Sequence, residues 1–503
     1  MAALGALNAR PGSAQKWIET GGTRITCVAS RRSHIAARHK VTRHRYPRNT
    51  KPKPQLKRLI MAKWIFAVGF VSILISGCDT MQTIIGRVPE PEPLPGERIS
   101  VLALEHALEP DLEIANQPIR LPRPRINYEW PQTRGAAAHV IQHPAAGDKL
   151  VRFWSYDIGA SETKDNFILS APIIANDLLF AIDSKNTVSA TDIKNRKTVW
   201  RATLIPEGES DEGALGGGIA SDGETVYVTT AYGYVVALNP ENGGIFWWRN
   251  LGVPIRSAPT VAEGRVFVLS VDNQLHALNY RDGTTLWKHS GISETAGLLG
   301  SAVPAVSGDL VVVTYSSGEL FALRVENGRI AWSDSLSYQG RLGANAVLSD
   351  IDASPVISGN VVYSVSYSGR LVAIDVRSGT RIWEQEIASA NTPWLAGDYL
   401  YVTTVDNNLV CIRRTDGRIR WVRSVPAYID PEDQEGPIVW TRPTLVGDRL
   451  IIAGSHGEVR AISPYTGRML GILNLSDGVR VSPITANGTL YILTTGAEVV
   501  ALR

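Results

Sequence analysis

Three kinds of residue in this 503-residue chain are of types and spacings that could do chemistry. His139 and His143 stand at i and i+4, the spacing at which two imidazoles on one helix face share a metal. No third ligand follows at a matching spacing, so they read as two loop histidines and the metal set is none. Asp350 and Asp352, in "LSDIDASP", could meet basic groups of a partner; taken alone they read as turn residues capping their own backbone. The cysteines are three: Cys27, Cys78 and Cys411. Cys78 closes a short apolar run and is a candidate for lipid attachment. If it carries lipid and Cys27 is not made, Cys411 has no partner, and the exported chain holds together without a disulfide. There is no Ser-His-Asp order and no Gly-rich phosphate loop, so the catalytic set is none as well.

What recurs is a packing phrase: an alanine, a glycine six residues on, and a tryptophan ten residues on. It is written as Ala237–Gly243–Trp247, Ala277–Gly283–Trp287, Ala322–Gly328–Trp332 and Ala373–Gly379–Trp383. "ATDIKNRKTVW" keeps Ala190 and Trp200, Cys411 replaces the alanine before Gly417 and Trp421, and the copy at Ala461 and Gly467 has Gly471 where tryptophan is expected. Cys411 therefore reads as a small buried residue rather than a reactive thiol. Each copy follows two further apolar alternations. In "SAPTVAEGRVFVLSVDNQLHALNYRDGTTLWKH" four strands are predicted, around Ala258–Val261, Arg265–Ser270, Gln274–Asn279 and Thr285–His289, with Gly- and Asn-containing turns between them. Four antiparallel strands per unit of about 40–50 residues is the signature of a propeller blade. The alanine is expected to leave room where blades converge, and the tryptophan to pack between neighbours.

The ends say how the ring closes. After Gly471 only three strands remain, and the final "ALR" stops at the alanine slot, Ala501, before any tryptophan. "GDKLVRFWSYDIG" supplies an orphan strand with Trp154. Pairing the two removes an open sheet edge. The fold class is therefore all-β: an eight-bladed β-propeller of four-stranded antiparallel blades, closed by an N-terminal strand completing the last blade. "GALGGG", 213–218, reads as a flexible blade connection.

The charge balance divides the chain. Residues 1–60 hold fourteen of the basic residues and one acid, Glu19; from residue 79 onward 36 basic residues face 47 acidic ones, a net of −11. An acidic body without a basic stripe argues against nucleic acid as partner. At Met61 the character changes to "MAKWIFAVGFVSILISGC", a signal peptide whose end resembles a lipobox. The organisation expected is an upstream extension of the gene model, disordered, over 1–60; a lipoprotein signal peptide over 61–77; a Pro-rich tether and N-terminal segment over 78–145; and the propeller over 146–503.

The phrase resembles the repeat of the pyrroloquinoline-quinone-type propellers, which include quinone-dependent dehydrogenases and non-enzymatic members. The dehydrogenases carry a vicinal cysteine pair that is absent here, and no calcium-binding set of acids stands out. Residues 348–387, with "AGLLGSAVPAV" (296–306) and the lipobox, resemble the outer-membrane assembly factor family BamB. That resemblance implies a non-catalytic, lipid-anchored scaffold on the periplasmic face of the outer membrane. It would bind the periplasmic domains of the barrel-inserting subunit BamA and join other members of the assembly complex, with no cofactor. The family's two partner-binding loops map onto Asp350 and Asp352 and onto Leu298 and Leu299. This chain departs from the pattern at Leu299, where the family has a basic residue, and at Ala296, in an outer leucine slot. Asp79, after the lipidated Cys78, is associated in enterobacterial sorting with inner-membrane retention. The rival reading is a quinone-dependent oxidoreductase with its cofactor in the propeller channel.

Overall fold

In the computed structural model the described residues are 108–293, 302–337 and 351–503. Eight four-stranded antiparallel sheets follow one another. Seven are uninterrupted meanders: blade 1 (173–203), blade 2 (217–250), blade 3 (260–290), blade 4 (305–335), blade 5 (356–385), blade 6 (394–424) and blade 7 (444–474). In blade 3 the strands are Thr260–Ala262, Arg265–Leu269, Gln274–Asn279 and Thr285–Ser290, within two residues of the reading from sequence. Successive first strands touch one another, so these strands line the axis and the fourth strands form the rim. A hairpin not foreseen, Tyr428–Asp430 with Glu435–Pro437, stands between blades 6 and 7.

Closure is as the chain ends imply. Ile484–Ala486, Thr489–Leu493 and Glu498–Leu502 are completed by Arg152–Asp157 into blade 8, with Trp154 opposite Ala501.

In the repeat phrase the tryptophan packs between neighbours as expected, while the alanine has a different role. The alanine is the cross-strand partner of its own blade's tryptophan: Ala190 faces Trp200, Ala277 faces Trp287, Ala373 faces Trp383, and Cys411 faces Trp421. A small residue is needed because the indole reaches past it to an aromatic on the second strand. Phe180–Trp200, Phe267–Trp287, Tyr363–Trp383 and Tyr401–Trp421 have ring centroids 5.9–6.0 Å apart. The tryptophan then seals the seam to the next blade. Its Nε1–H donates to a carbonyl in the next blade's last turn, from Trp200 to Pro240 at 2.8 Å through to Trp421 to Pro464 at 3.1 Å. The phrase glycine of that turn lies flat on the indole. A Cβ on Gly283 would stand 2.5 Å from Trp247, and the turn holds Gly283 at φ +68°, so side chain and backbone both exclude other residues.

This explains Gly471. Blade 8 has no such turn, because its fourth strand comes from elsewhere in the chain. A tryptophan at 471 would have neither a glycine to lie on nor a carbonyl to bond. A groove of about 390 Å³ lined by Leu470, Gly471 and Leu502 among others stands there instead.

Two segments do more than the sequence suggested. "GALGGG" is only partly a connection: Gly217–Ser221 is the inner strand of blade 2, and a Cβ on Gly218 would stand 2.5 Å from Ala258. The described part of the expected tether is docked, not free. Residues 127–144 follow the ring once around its axis, bonding the inner strands in turn. Asn127 O accepts from Asn487 N of blade 8 (2.8 Å), Trp130 exchanges both backbone bonds with Ile174 of blade 1, and Pro131 O accepts from Ser221 N of blade 2. Gln132 Nε2 donates to Val261 O of blade 3 at 2.8 Å. Ala137 and Ala138 accept from Val306 N of blade 4 and Ile357 N of blade 5, Gln142 Oε1 from Gly397 N of blade 6, and Pro144 O from Gly447 N of blade 7. The inner strands have one free edge, facing the axis, and this strap supplies the partners that edge lacks.

Candidate partner-binding site

The connection from blade 3 to blade 4 and that from blade 4 to blade 5 leave the ring on one face, because each joins the end of a fourth strand to the start of a first strand. Leu298, Leu299 and Ala296 of the first connection and Asp350 of the second lie outside the described residues, as do Cys78 and Asp79. Asp352 is described. It is half-buried between Ile351 and Ala353, which are 1% and 0% exposed.

The next residue but one ties the two connections together. Ser354 is fully buried, and its Oγ accepts from Val303 N at 3.0 Å, at the end of the first connection. The same oxygen accepts from Arg134 Nε of the strap at 3.2 Å, while Ser354 N donates to Thr392 Oγ1 at 2.9 Å. Burial draws the Arg134 guanidinium down to about 10, and the charge of Asp352 opposes that fall. The two connections thus share a base of Val303, Ser354 and Arg134, with Asp352 at its edge. No sequence signal pointed to Arg134, Val303 or Ser354: their meeting depends on contacts more than fifty residues apart.

The paired histidines are separated. His139 Nδ1 donates to Pro355 O at 2.7 Å in blade 5, and burial brings its ring to about 3, so the ring is neutral and its proton sits on Nδ1. His143 is buried against Pro122 O and Gly447 O on the blade 7 side. Among the described residues there is no group of three or more His, Cys, Asp or Glu that could hold a metal. Cys411, the one cysteine among them, is buried in blade 6, where desolvation pushes its thiol well up. On the strap side Trp130 is 0% exposed and stacks on Trp394 of blade 6.

Fold and site together define an eight-bladed propeller of quinone-protein-type repeats, with two adjoining inter-blade connections as its candidate surface. The family model described as "Outer membrane protein assembly factor BamB" matches residues 184–423. The chain is 27% identical over 348 residues to the outer membrane protein assembly factor BamB of Yersinia pestis, covering 68% of this chain and 86% of that protein. The crystal structure of BamB from Moraxella catarrhalis superposes with a TM-score of 0.59 at 19% identity, covering 71% of this chain and 100% of the other. A europium-containing methanol dehydrogenase reaches the same TM-score at 13% identity, covering 78% and 99%. Both structural likenesses show the fold alone. The resemblance to the BamB family read from the sequence stands on the family match and on the sequence relatives.

Proposed function

We propose that this protein is a non-catalytic scaffold of the outer-membrane β-barrel assembly machinery, binding the periplasmic domains of a BamA-like subunit and assisting barrel folding and insertion. It is anchored by lipid on Cys78 at the periplasmic face of the outer membrane. Asp350 and Asp352 carry the contact, together with Leu298 and Leu299. The observation that carries this reading is the shared base of the two connections: Ser354 bonds Val303, so the described ends of two segments fifty residues apart meet. Carboxylates at an interface form charge-assisted hydrogen bonds with basic or backbone donors of a partner.

The experiment is affinity purification of the tagged protein from solubilised envelope, with partners identified by mass spectrometry. Recovery of the barrel-inserting subunit is expected; its absence while the bait remains folded contradicts the reading. Fatty-acid labelling should mark the wild type and not Cys78→Ala, and membrane fractionation decides whether Asp79 redirects the protein to the inner membrane.

A further inference from the structure

At the start of the inner strand of blade 7 lies a buried cation that no described carboxylate neutralises. Arg442 precedes the inner strand of blade 7 and is 1% exposed. Its Cζ stands 5.4 Å from the ring centroid of Trp394 of blade 6, and Trp130 of the strap stacks on the same Trp394 with centroids 6.3 Å apart and planes at 19°. Of the two side chains that contact this indole, three buried N–H donors lack an acceptor among the described residues: Arg442 Nε, Arg442 Nη2 and Trp130 Nε1. Nε and Nη2 are the two donors on one edge of the guanidinium, the fork that grips two oxygens of one anion.

The charge is as unmet as the hydrogen bonds. Among the described residues the charge acting on Arg442 is Arg134, another cation, and both arginines act on the neutral His139 beside them. Asp352 answers Arg134; no described carboxylate answers Arg442. A guanidinium does not escape by losing its proton. An unpaired buried charge costs several kcal/mol even after relaxation, and an unmet buried donor adds to that. Water can satisfy the donors but cannot offset the charge.

We propose that Arg442, with Trp130 Nε1 and the nearby Arg134, forms an internal site for a small oxygen-bearing anion at the start of the inner strand of blade 7. The Arg442 fork holds two of its oxygens, the indole N–H donates to it, and Trp394 forms an apolar wall. The site meets the base of the two connections at Arg134 but does not rest on partner docking, and its failure leaves the proposed function untouched.

The test is thermal unfolding of the purified full chain, titrated with sodium sulfate at constant ionic strength. The wild type should gain several degrees in a saturable way at millimolar sulfate. Arg442→Met, which keeps the length of the side chain without its charge, should show no saturable component, and in sulfate-free buffer it should melt no lower than the wild type. Should Arg442→Met fail to fold, Trp130→Phe serves in its place and should raise the sulfate midpoint several-fold. An equal response of wild type and Arg442→Met, or an unchanged midpoint in Trp130→Phe, places sulfate elsewhere and overturns the proposal. No saturable response in the wild type means hydrated donors only, and overturns it too.

Discussion

The seams between blades and the axis they surround are built on opposite terms. At a seam the contacts are mostly apolar, repeated with few changes from blade to blade, and satisfied: Trp287 fills the gap past Ala277, lies on Gly328 and gives its one donor to Val325 O. At the axis each residue occurs once, and polar groups outnumber their partners, as Arg442 and Trp130 show. Repetition can encode a wall, because every blade meets a neighbour of the same shape. It cannot encode a site, which needs groups that differ around the ring.

The largest break in the wall should come from removing its closing strand. Deleting residues 146–156 takes Trp154 and all of its pairing with Glu498–Leu502 except Asp157, exposing a strand edge. Calorimetry should show a loss of several kcal/mol, more than the about 3–5 kcal/mol typical of truncating one large buried aromatic. Next comes that single truncation: Trp200→Ala, 8% exposed at the seam to blade 2, should cost about 3–5 kcal/mol in urea unfolding.

The axis should fail through acid before the wall does. His139 is held neutral, with its folded value near 3 against an ordinary 6.5. The unfolded chain therefore binds the extra proton. This stability is complete above about pH 6.5 and is lost as the pH falls toward 3. Between pH 6.5 and 5 the loss amounts to about 2 kcal/mol. His139→Gln should flatten that part of the pH–stability curve relative to the wild type; identical slopes would remove His139 as its source.

The smallest effect separates two glycines of one blade. Gly467 lies 2.8 Å, measured from an ideal Cβ, from Trp421 and has φ +67°, so Gly467→Ala should cost about 1 kcal/mol or more. Nothing stands within 4 Å of the same position on Gly471, and Gly471→Ala should stay within about 0.5 kcal/mol. Equal costs, read from parallel melts, would break the account of the missing tryptophan.

The wall was legible from sequence because strand alternation and the Ala–Gly–Trp phrase are local and repeated. Blade count, strand bounds in blade 3 and the Trp154 closure all follow from them. The finer reason for the alanine was not legible, since the phrase does not show that Phe180 or Tyr363 lies behind it on the next strand. The strap was hidden because residues 127–144 carry no period of their own: they conform to edges supplied by eight other segments. Arg134, Ser354 and Arg442 were hidden for the same reason. Of the candidate site the sequence offered Asp350, Asp352, Leu298 and Leu299 by resemblance, and the structure places Asp352 beside Arg134, where its carboxylate also serves the fold.

That last point shapes the decisive measurement. Asp350→Asn with Asp352→Asn keeps side-chain size, removes the charge and turns one acceptor oxygen of each into a donor. Co-purification of the BamA-like subunit should be measured beside the melting temperature of the same preparation, with Trp200→Ala as a wall control and Leu299→Arg as a restoration of the family residue. Losing one side of a desolvated charged contact costs about 2–5 kcal/mol, a fall in affinity of more than tenfold. The account predicts that the double variant loses the partner while melting within a few degrees of the wild type, that Trp200→Ala melts early yet binds while folded, and that Leu299→Arg binds at least as well. A double variant that is folded and binds like the wild type would contradict it.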